Sequence, residues 1–427
     1  MEGLNGPDAD RAHHALTMST ALMESLARYE ATEPQIHAFA RYDVEPALLV
    51  DAALEVTGAT GALLRVPVGV KDIFDTAGVP TERGSALYAG RIAERDADVV
   101  RNLRAAGAVI VGKTVTAELA FYQPGPTRNP WDLSRTPGGS SMGSAAAVAA
   151  GVVPLAVGSQ TNGSVIRPAA FCGVVGFKPT AGRLSREGVF EFSRTLDQVG
   201  GFARSVREAA GLTAAMAGEP IARWWSDDAT TPKLAAIRTS EWERAEDAAR
   251  DRFQADVDRL AAAGGPVEWP SPPLGLDEAP GVLRTIMLFE AARALASDTQ
   301  GREDLISETA RRALSEGAAI LEGDYRAALR ERDRLIAAFV ALASRYDAIL
   351  TPPAVGEAPT PETTGDPRFC SRWSLVGAPA IVIPSGLGPR RLPLGLQLVG
   401  APGDDRRLLG AAAWCEAHLP AIGKPPL

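Results

Sequence analysis

Histidine is scarce in this chain of 427 residues. Four occur (His13, His14, His37 and His418), all toward the ends and none near the serine-rich middle. A Ser-His-Asp triad is therefore disfavoured, although distance along the chain does not by itself forbid one. Cysteine is nearly as rare: Cys172, Cys370 and Cys415 stand far apart, with no CxxC pair. That excludes a disulfide framework and a thiolate metal site, and it fits a reducing compartment. No HExxH or comparable spacing appears, so no metal or cofactor is expected. No stretch reaches the ~18 uninterrupted apolar residues of a membrane helix. The opening MEGLNGPDADRAHHALTMST has no basic segment followed by an apolar run. Basic charge is short as well. Lys and Arg number 44 against 52 Asp and Glu, a formal charge of −8, and no basic stripe offers phosphates a footing. The expectation is a cytoplasmic protein acting on a small molecule, without nucleic-acid or membrane partners; a homodimer is left open.

What is present is ordinary globular material, 46% hydrophobic and 22% charged, long enough for one large domain or two ordinary ones. DRAHHALTMSTALMESLARYE (10–30) spaces its apolar residues as an amphipathic helix. LLRVPVGVKDIFD (63–75) reads as a buried, Val-rich strand leaving on Lys71 and Asp72. ADVVRNLRAAGAVIVGKT then gives helix, Gly stop and strand, the grammar of an α/β unit. LAAAGG before PVEWP repeats it, and SRYDAILTP (344–352) puts a strand after a long helix. APAIVIPSG and LPLGLQLVG, near 378–400, form two more strands with a turn between them. Charge-laced helices occupy about 241–263 and 302–345, and PPAVGEAPTPETTGDP (352–367) is too rich in breakers for regular structure. Strands at both ends with helices inserted between them predict one α/β domain over residues 1–427. Its centre is a mixed, mostly parallel sheet flanked by α-helices.

GAVIVGKT (107–114) fits the phosphate-loop pattern G-x-x-x-x-G-K-[ST] letter for letter. The pattern works through a loop whose amides wrap phosphates. Ala, Val, Ile and Val in the middle form a strand instead, so nucleotide binding is not expected. A denser puzzle is TPGGSSMGSAAAVAAGVVPLAVGSQTNGSVIRPAAFCGVVGFKPT, Thr136 to Thr180. It holds serines at 140, 141, 144, 159 and 164 and no imidazole to activate them. A serine nucleophile here needs another base. A lysine buried among apolar residues loses its charged form and can act as a neutral base. Lys71, directly after VPVGV, is the best placed. For a lone strand-end lysine, snorkelling to solvent is the competing reading.

GVKDIFDTAGVPTERGS, RTPGGSSMGSAAAVAAG and TNGSVIRPAAFCGVVGFKPT, with GKTVTAELAF and TRNPWD between them, closely resemble the amidase signature family. The resemblance is strong over about 60–205. It is weaker through the N-terminal helix and the closing YDAILTPP and GAPAIVIPSGLGPRRLPLGLQLVG. It implies that family's fold and its Ser–Ser–Lys triad. Lys71 becomes the base, Ser140 the bridging serine after a cis peptide bond, and Ser164 the nucleophile. In the relay so implied, neutral Lys71 draws the proton of Ser140, Ser140 draws that of Ser164, and Ser164 attacks the carbonyl. The resemblance also implies that backbone N–H groups of Thr161, Asn162, Gly163 and Ser164 converge on the oxyanion.

Several positions depart from the common pattern. The family usually reads G-T-D-T-G-G-S; this chain reads GSQTNGS, with Gln160 for Asp and Asn162 for Gly. Met142 stands where Gly is common, and the arginine, Arg167, lies three residues past the nucleophile instead of two. Gly139, Ser141, Met142, Tyr122 and Arg167 are the candidate substrate contacts. For Ser141, as for Ser144, a local backbone partner is the competing role. Arg167 could clamp a substrate carboxylate bidentately or serve as a structural arginine. Phe121, Phe190, Phe192 and Trp373 are pocket walls or plain core. The expected activity is hydrolysis of a C–N bond in a small-molecule amide through an acyl-enzyme. Carbamates, acyl-ureas and half-amide acids are alternative substrates. A glutamine-hydrolysing subunit of a tRNA-dependent amidotransferase is a further alternative, disfavoured by the acidic charge and the altered loop.

Overall fold

Eleven strands join in one sheet in the computed structural model, which describes residues 18–227 and 230–427. The first half supplies β1 (Phe39–Tyr42), β2 (Pro67–Lys71), β3 (Val109–Thr114), β4 (Leu155–Gln160), β5 (Val175–Lys178) and β6 (Gln198–Ala203). The second half supplies β7 (Leu234–Ala236), β8 (Val267–Glu268), β9 (Ala348–Thr351), β10 (Ala380–Leu387) and β11 (Pro393–Val399). Their order across the sheet is β1-β3-β2-β4-β6-β5-β10-β11-β9-β7-β8. The sheet is mixed and flanked by helices, as expected, but parallel pairing does not dominate. It is confined to β3–β2–β4 and β9–β7–β8, four of ten pairings among the described residues. The other six, including the run β4–β6–β5–β10–β11–β9, are antiparallel. Antiparallel neighbours need no helical crossover, and β5 reaches β6 through a segment that holds no helix.

The N-terminal helix runs Thr20–Ile36, capped by the Ser19 side chain; residues 10–17 of the expected helix lie outside the described residues. GAVIVGKT is strand β3, and its lysine, Lys113, is buried in the sheet. β2 and β4 are buried at every position, as strands covered on both faces must be. The Ala-rich run forms the helix Met142–Ala149, with Ala145, Ala146 and Ala147 fully buried. Close packing explains the missing side chain at Gly143, where a Cβ would meet the Ala38 carbonyl oxygen at 2.0 Å. Residues 352–367 carry no helix or strand. No described helix is long and apolar enough to cross a membrane.

Candidate active site

Because β2 and β4 run parallel, their C-terminal ends meet at the same edge of the sheet. Lys71 is the last residue of β2 and fully buried. Its Nζ lies 2.7 Å from Ser140 Oγ and 2.8 Å from Ser159 Oγ. Its partners are hydroxyls, not carboxylates. Burial pushes its pKa down from 10.5 to about 7, while the charge of Asp197 pulls the other way. Desolvation always disfavours an ammonium, and a distant anion restores only part of the loss.

Ser140 sits on a turn with a cis Gly139–Ser140 peptide bond. The backbone there is tight: Gly138 has φ +81°, and a Cβ on it would meet Pro168 Cα at 2.8 Å. Ser141 Oγ accepts from Ser159 N at 3.3 Å and donates to Ser159 O at 3.2 Å. Ser144 Oγ donates to Val157 O at 2.8 Å. Both hydroxyls thus tie the start of the helix Met142–Ala149 to β4. Met142 Sδ accepts from Gly125 N at 3.1 Å and is buried.

β4 ends at Gln160 and the turn Thr161–Asn162–Gly163–Ser164 follows. Gln160 Oε1 accepts from Val165 N (2.8 Å) and Ile166 N (3.0 Å), satisfying amides at the start of the helix Ile166–Cys172. Its Nε2 donates to Ser374 Oγ at 2.9 Å. Asn162 Nδ2 donates to Tyr122 Oη at 3.1 Å, and Ser371 Oγ donates to Asn162 Oδ1 at 2.7 Å. The unusual turn is thereby wired to the helix Arg368–Leu375, which carries both serines. Thr161 Oγ1 donates to Asp197 Oδ1 at 2.6 Å.

Arg167 is buried, donating through Nε to Thr364 O and through Nη2 to Gly139 O, each at 2.7 Å. A Cβ on Gly163 would come 2.8 Å from its Nη1, and one on Gly139 would come 2.7 Å from Thr364 Cγ2. The guanidinium therefore lies against the residue before Ser140 and the residue before Ser164. Lys71 and Ser140 are in direct contact, and Arg167 brings the Ser164 turn to them. Among the described residues, Ser140 and Ser164 share no direct hydrogen bond. Ser164 is 8% exposed.

Beside them lies a cavity of about 30 Å³ lined by Ser159, Thr161, Asp197, Ile73, Phe190 and Phe192. Phe192 stacks on Phe121 with centroids 5.0 Å apart, and Phe121 meets Tyr122 at 4.4 Å. Trp373 instead packs into the core against Phe339. Sequence reasoning gave no role to Ser159 or Asp197. For Ser159 the available clue was its place near the end of a Val-rich strand run inside GSQTNGS. Asp197, in TLDQVG, offered none.

The chain belongs to the amidase family, whose model matches residues 20–409. It is similar to the glutamyl-tRNA(Gln) amidotransferase A subunit of Anaeromyxobacter sp., 36% identical over 99% of this chain and 97% of that protein. Among solved structures it resembles an amidase at 34% identity and TM-score 0.86, covering 94% of this chain and 96% of the other. It also resembles the peptide amidase of Stenotrophomonas maltophilia, at 27% identity and TM-score 0.82, covering 95% and 94%.

Proposed function

We propose that the chain is an amidohydrolase that cleaves the C–N bond of a small neutral amide through an acyl-enzyme on Ser164. The observation that carries this reading is Lys71: buried, depressed to about 7, and 2.7 Å from Ser140 Oγ. Ser164 Oγ forms the bond to the carbonyl carbon while its proton passes to Ser140 and that of Ser140 to Lys71. The C–N bond then breaks as the relay returns a proton to the leaving nitrogen. Water repeats the relay on the ester, releasing the acid and restoring Ser164. The N–H groups of the 161–164 turn hold the oxyanion. Arg167 serves as the anchor of the two serine turns, because its Nε and Nη2 are already taken by backbone carbonyls. That favours neutral amides over half-amide acids.

The test is amine or ammonia release by the isolated chain from a panel of amides, anilides, carbamates and half-amide acids. Wild type should turn over at least one neutral substrate and be labelled at Ser164 by a serine-directed phosphonate. Ser164→Ala should lose both. Labelling of another residue would overturn the assignment. A second reading, glutamine hydrolysis within an amidotransferase assembly, is favoured by the glutamyl-tRNA(Gln) amidotransferase relatives at 36–37% identity. Ammonia release from added glutamine, with no turnover of any member of the panel, would select it.

A further inference from the structure

Asp197 directly precedes β6, and strand pairing sets Gln198 opposite Gln160, the last residue of β4. This register brings its carboxylate to the oxyanion turn. Oδ1 accepts from Thr161 Oγ1 at 2.6 Å, and Oδ2 accepts from Phe192 N at 2.7 Å and Ser193 N at 2.9 Å. The carboxylate is thus fixed from two sides. It lines the same cavity as Ser159, whose hydroxyl is 2.8 Å from Lys71 Nζ. We propose that Asp197 is a positioning residue that gives Lys71 a counter-charge without touching it and steadies the oxyanion turn through Thr161.

The separation is what matters. A carboxylate in contact with Lys71 would hold the proton on the lysine and spoil the base. With no carboxylate nearby, the ammonium formed in the relay would be an uncompensated charge in a low-dielectric interior. Asp197 takes the middle course. Its charge acts on Lys71 in the raising direction. Burial pushes its own pKa up to about 6, opposed by the hydrogen bonds from Thr161, Ser193 and Phe192. The other charged groups around the pair are few. Arg186 and Glu191 line the cavity, Asp72 and Lys113 face each other beside β2, and Glu290 reaches Ser193 and Thr195 from the helix Ala279–Ala294.

This inference rests on the amidohydrolase reading, and its test is the pH profile of kcat/KM on a neutral amide. In Asp197→Asn the acid limb should move to lower pH by about one unit, because removing the anion lowers the pKa of Lys71. kcat should fall roughly tenfold, with KM little changed. Asp197→Glu keeps the charge, so its limb should stay where wild type has it even if kcat drops. Thr161→Val removes the hydrogen bond only, and it should lower kcat with the limb in place. An unmoved limb in folded Asp197→Asn, or a displaced limb in Asp197→Glu, would overturn the proposal. Wild type labelled at Ser164 together with an unmoved limb sinks this inference alone. Failure of wild type to be labelled at all sinks the amidohydrolase reading first.

Discussion

Two buried lysines stand on neighbouring strands in different company. Lys113 on β3 donates to Phe74 O and Thr81 Oγ1, each at 2.7 Å, and lies 3.4 Å from Asp72 Oδ1. Lys71 on β2 has Ser140 and Ser159 hydroxyls instead. Asp72 follows Lys71 directly in the chain, yet its carboxylate goes to Lys113. Burial pushes both lysines down, but Asp72 pulls Lys113 back by direct contact, whereas Lys71 feels only the more distant Asp197. Lys113 is lowered to about 8 and Lys71 to about 7, and the difference between them is a contacting carboxylate that favours the charged amine against hydroxyls that do not. Hydroxyls can pass protons on; a carboxylate in contact favours keeping the proton on the amine.

The sharpest way to break the comparison is to remove each amine in turn. Lys71→Met should lower kcat by about 10³-fold or more, the upper part of the range for losing a general base. Its melting temperature should change far less than that of Lys113→Met, because no carboxylate lies in contact with the Lys71 amine and Asp197 keeps its hydrogen bonds from Thr161, Phe192 and Ser193. Lys113→Met should do the reverse. It leaves Asp72 buried without its counter-ion, which costs about 3–5 kcal/mol. The molecules that still fold should turn over normally when kcat is normalised to phosphonate-titrated sites. A folded but inactive Lys113→Met would end the distinction between the two lysines.

The pH dependence sharpens the same contrast. Lys71 must be neutral to accept a proton, and its pKa is lowered to about 7. Activity should therefore be full above that value and fall about tenfold per pH unit below it. In the unfolded chain the lysine stays protonated up to about pH 10.4. Between about 7 and that pH the unfolded state binds more protons, so this group makes stability rise with pH through the window and fall on acidification. Kinetic profiles and melting curves over pH 5–10 check the two signs together. A rate that stays level down to pH 5 would remove Lys71 from the base role.

The family motifs were legible because Lys71, Ser140 and Ser164 lie in three segments whose residue types and spacing suit little else, and the structure sets Lys71 against Ser140. GKT was legible too, since a run of Val and Ile inside a phosphate-loop pattern is a strand. What stayed hidden depends on pairing across the sheet. Asp197 reaches Thr161 only because β6 runs antiparallel to β4 with Gln198 opposite Gln160, and local pattern carries no register between distant strands. The same gap produced the expectation of a mostly parallel sheet. The helix–Gly–strand grammar around β3 is sound, but it does not extend to the neighbours β5–β6 or β10–β11, which are joined by segments without a helix. Arg167 shows the limit for side chains. Its position after the nucleophile suited either a carboxylate clamp or an anchor, and the carbonyls that favour the anchor, Gly139 and Thr364, lie 28 and 197 residues away.

The smallest expected effect concerns a single hydroxyl beside each lysine. Ser159→Ala removes one of the two oxygens on Lys71 Nζ and leaves Ser140 to hold the amine alone. A net hydrogen bond of this kind is worth about 1–1.5 kcal/mol, so a loosened amine should lower kcat by roughly tenfold. Ser159→Thr, which restores a hydroxyl, should recover much of that loss. Thr81→Val is the matching change at Lys113, removing an acceptor at 2.7 Å from its Nζ. There Asp72 and the Phe74 carbonyl remain, and the lysine takes no part in the proposed relay. The rate should be unchanged, with about 1 kcal/mol lost from stability. Measured side by side as kcat and melting temperature, the two variants should fail in different columns. Equal losses of rate in both would mean that the sheet senses any damage to its buried lysines alike, and that the hydroxyl at Ser159 has no special bearing on Lys71.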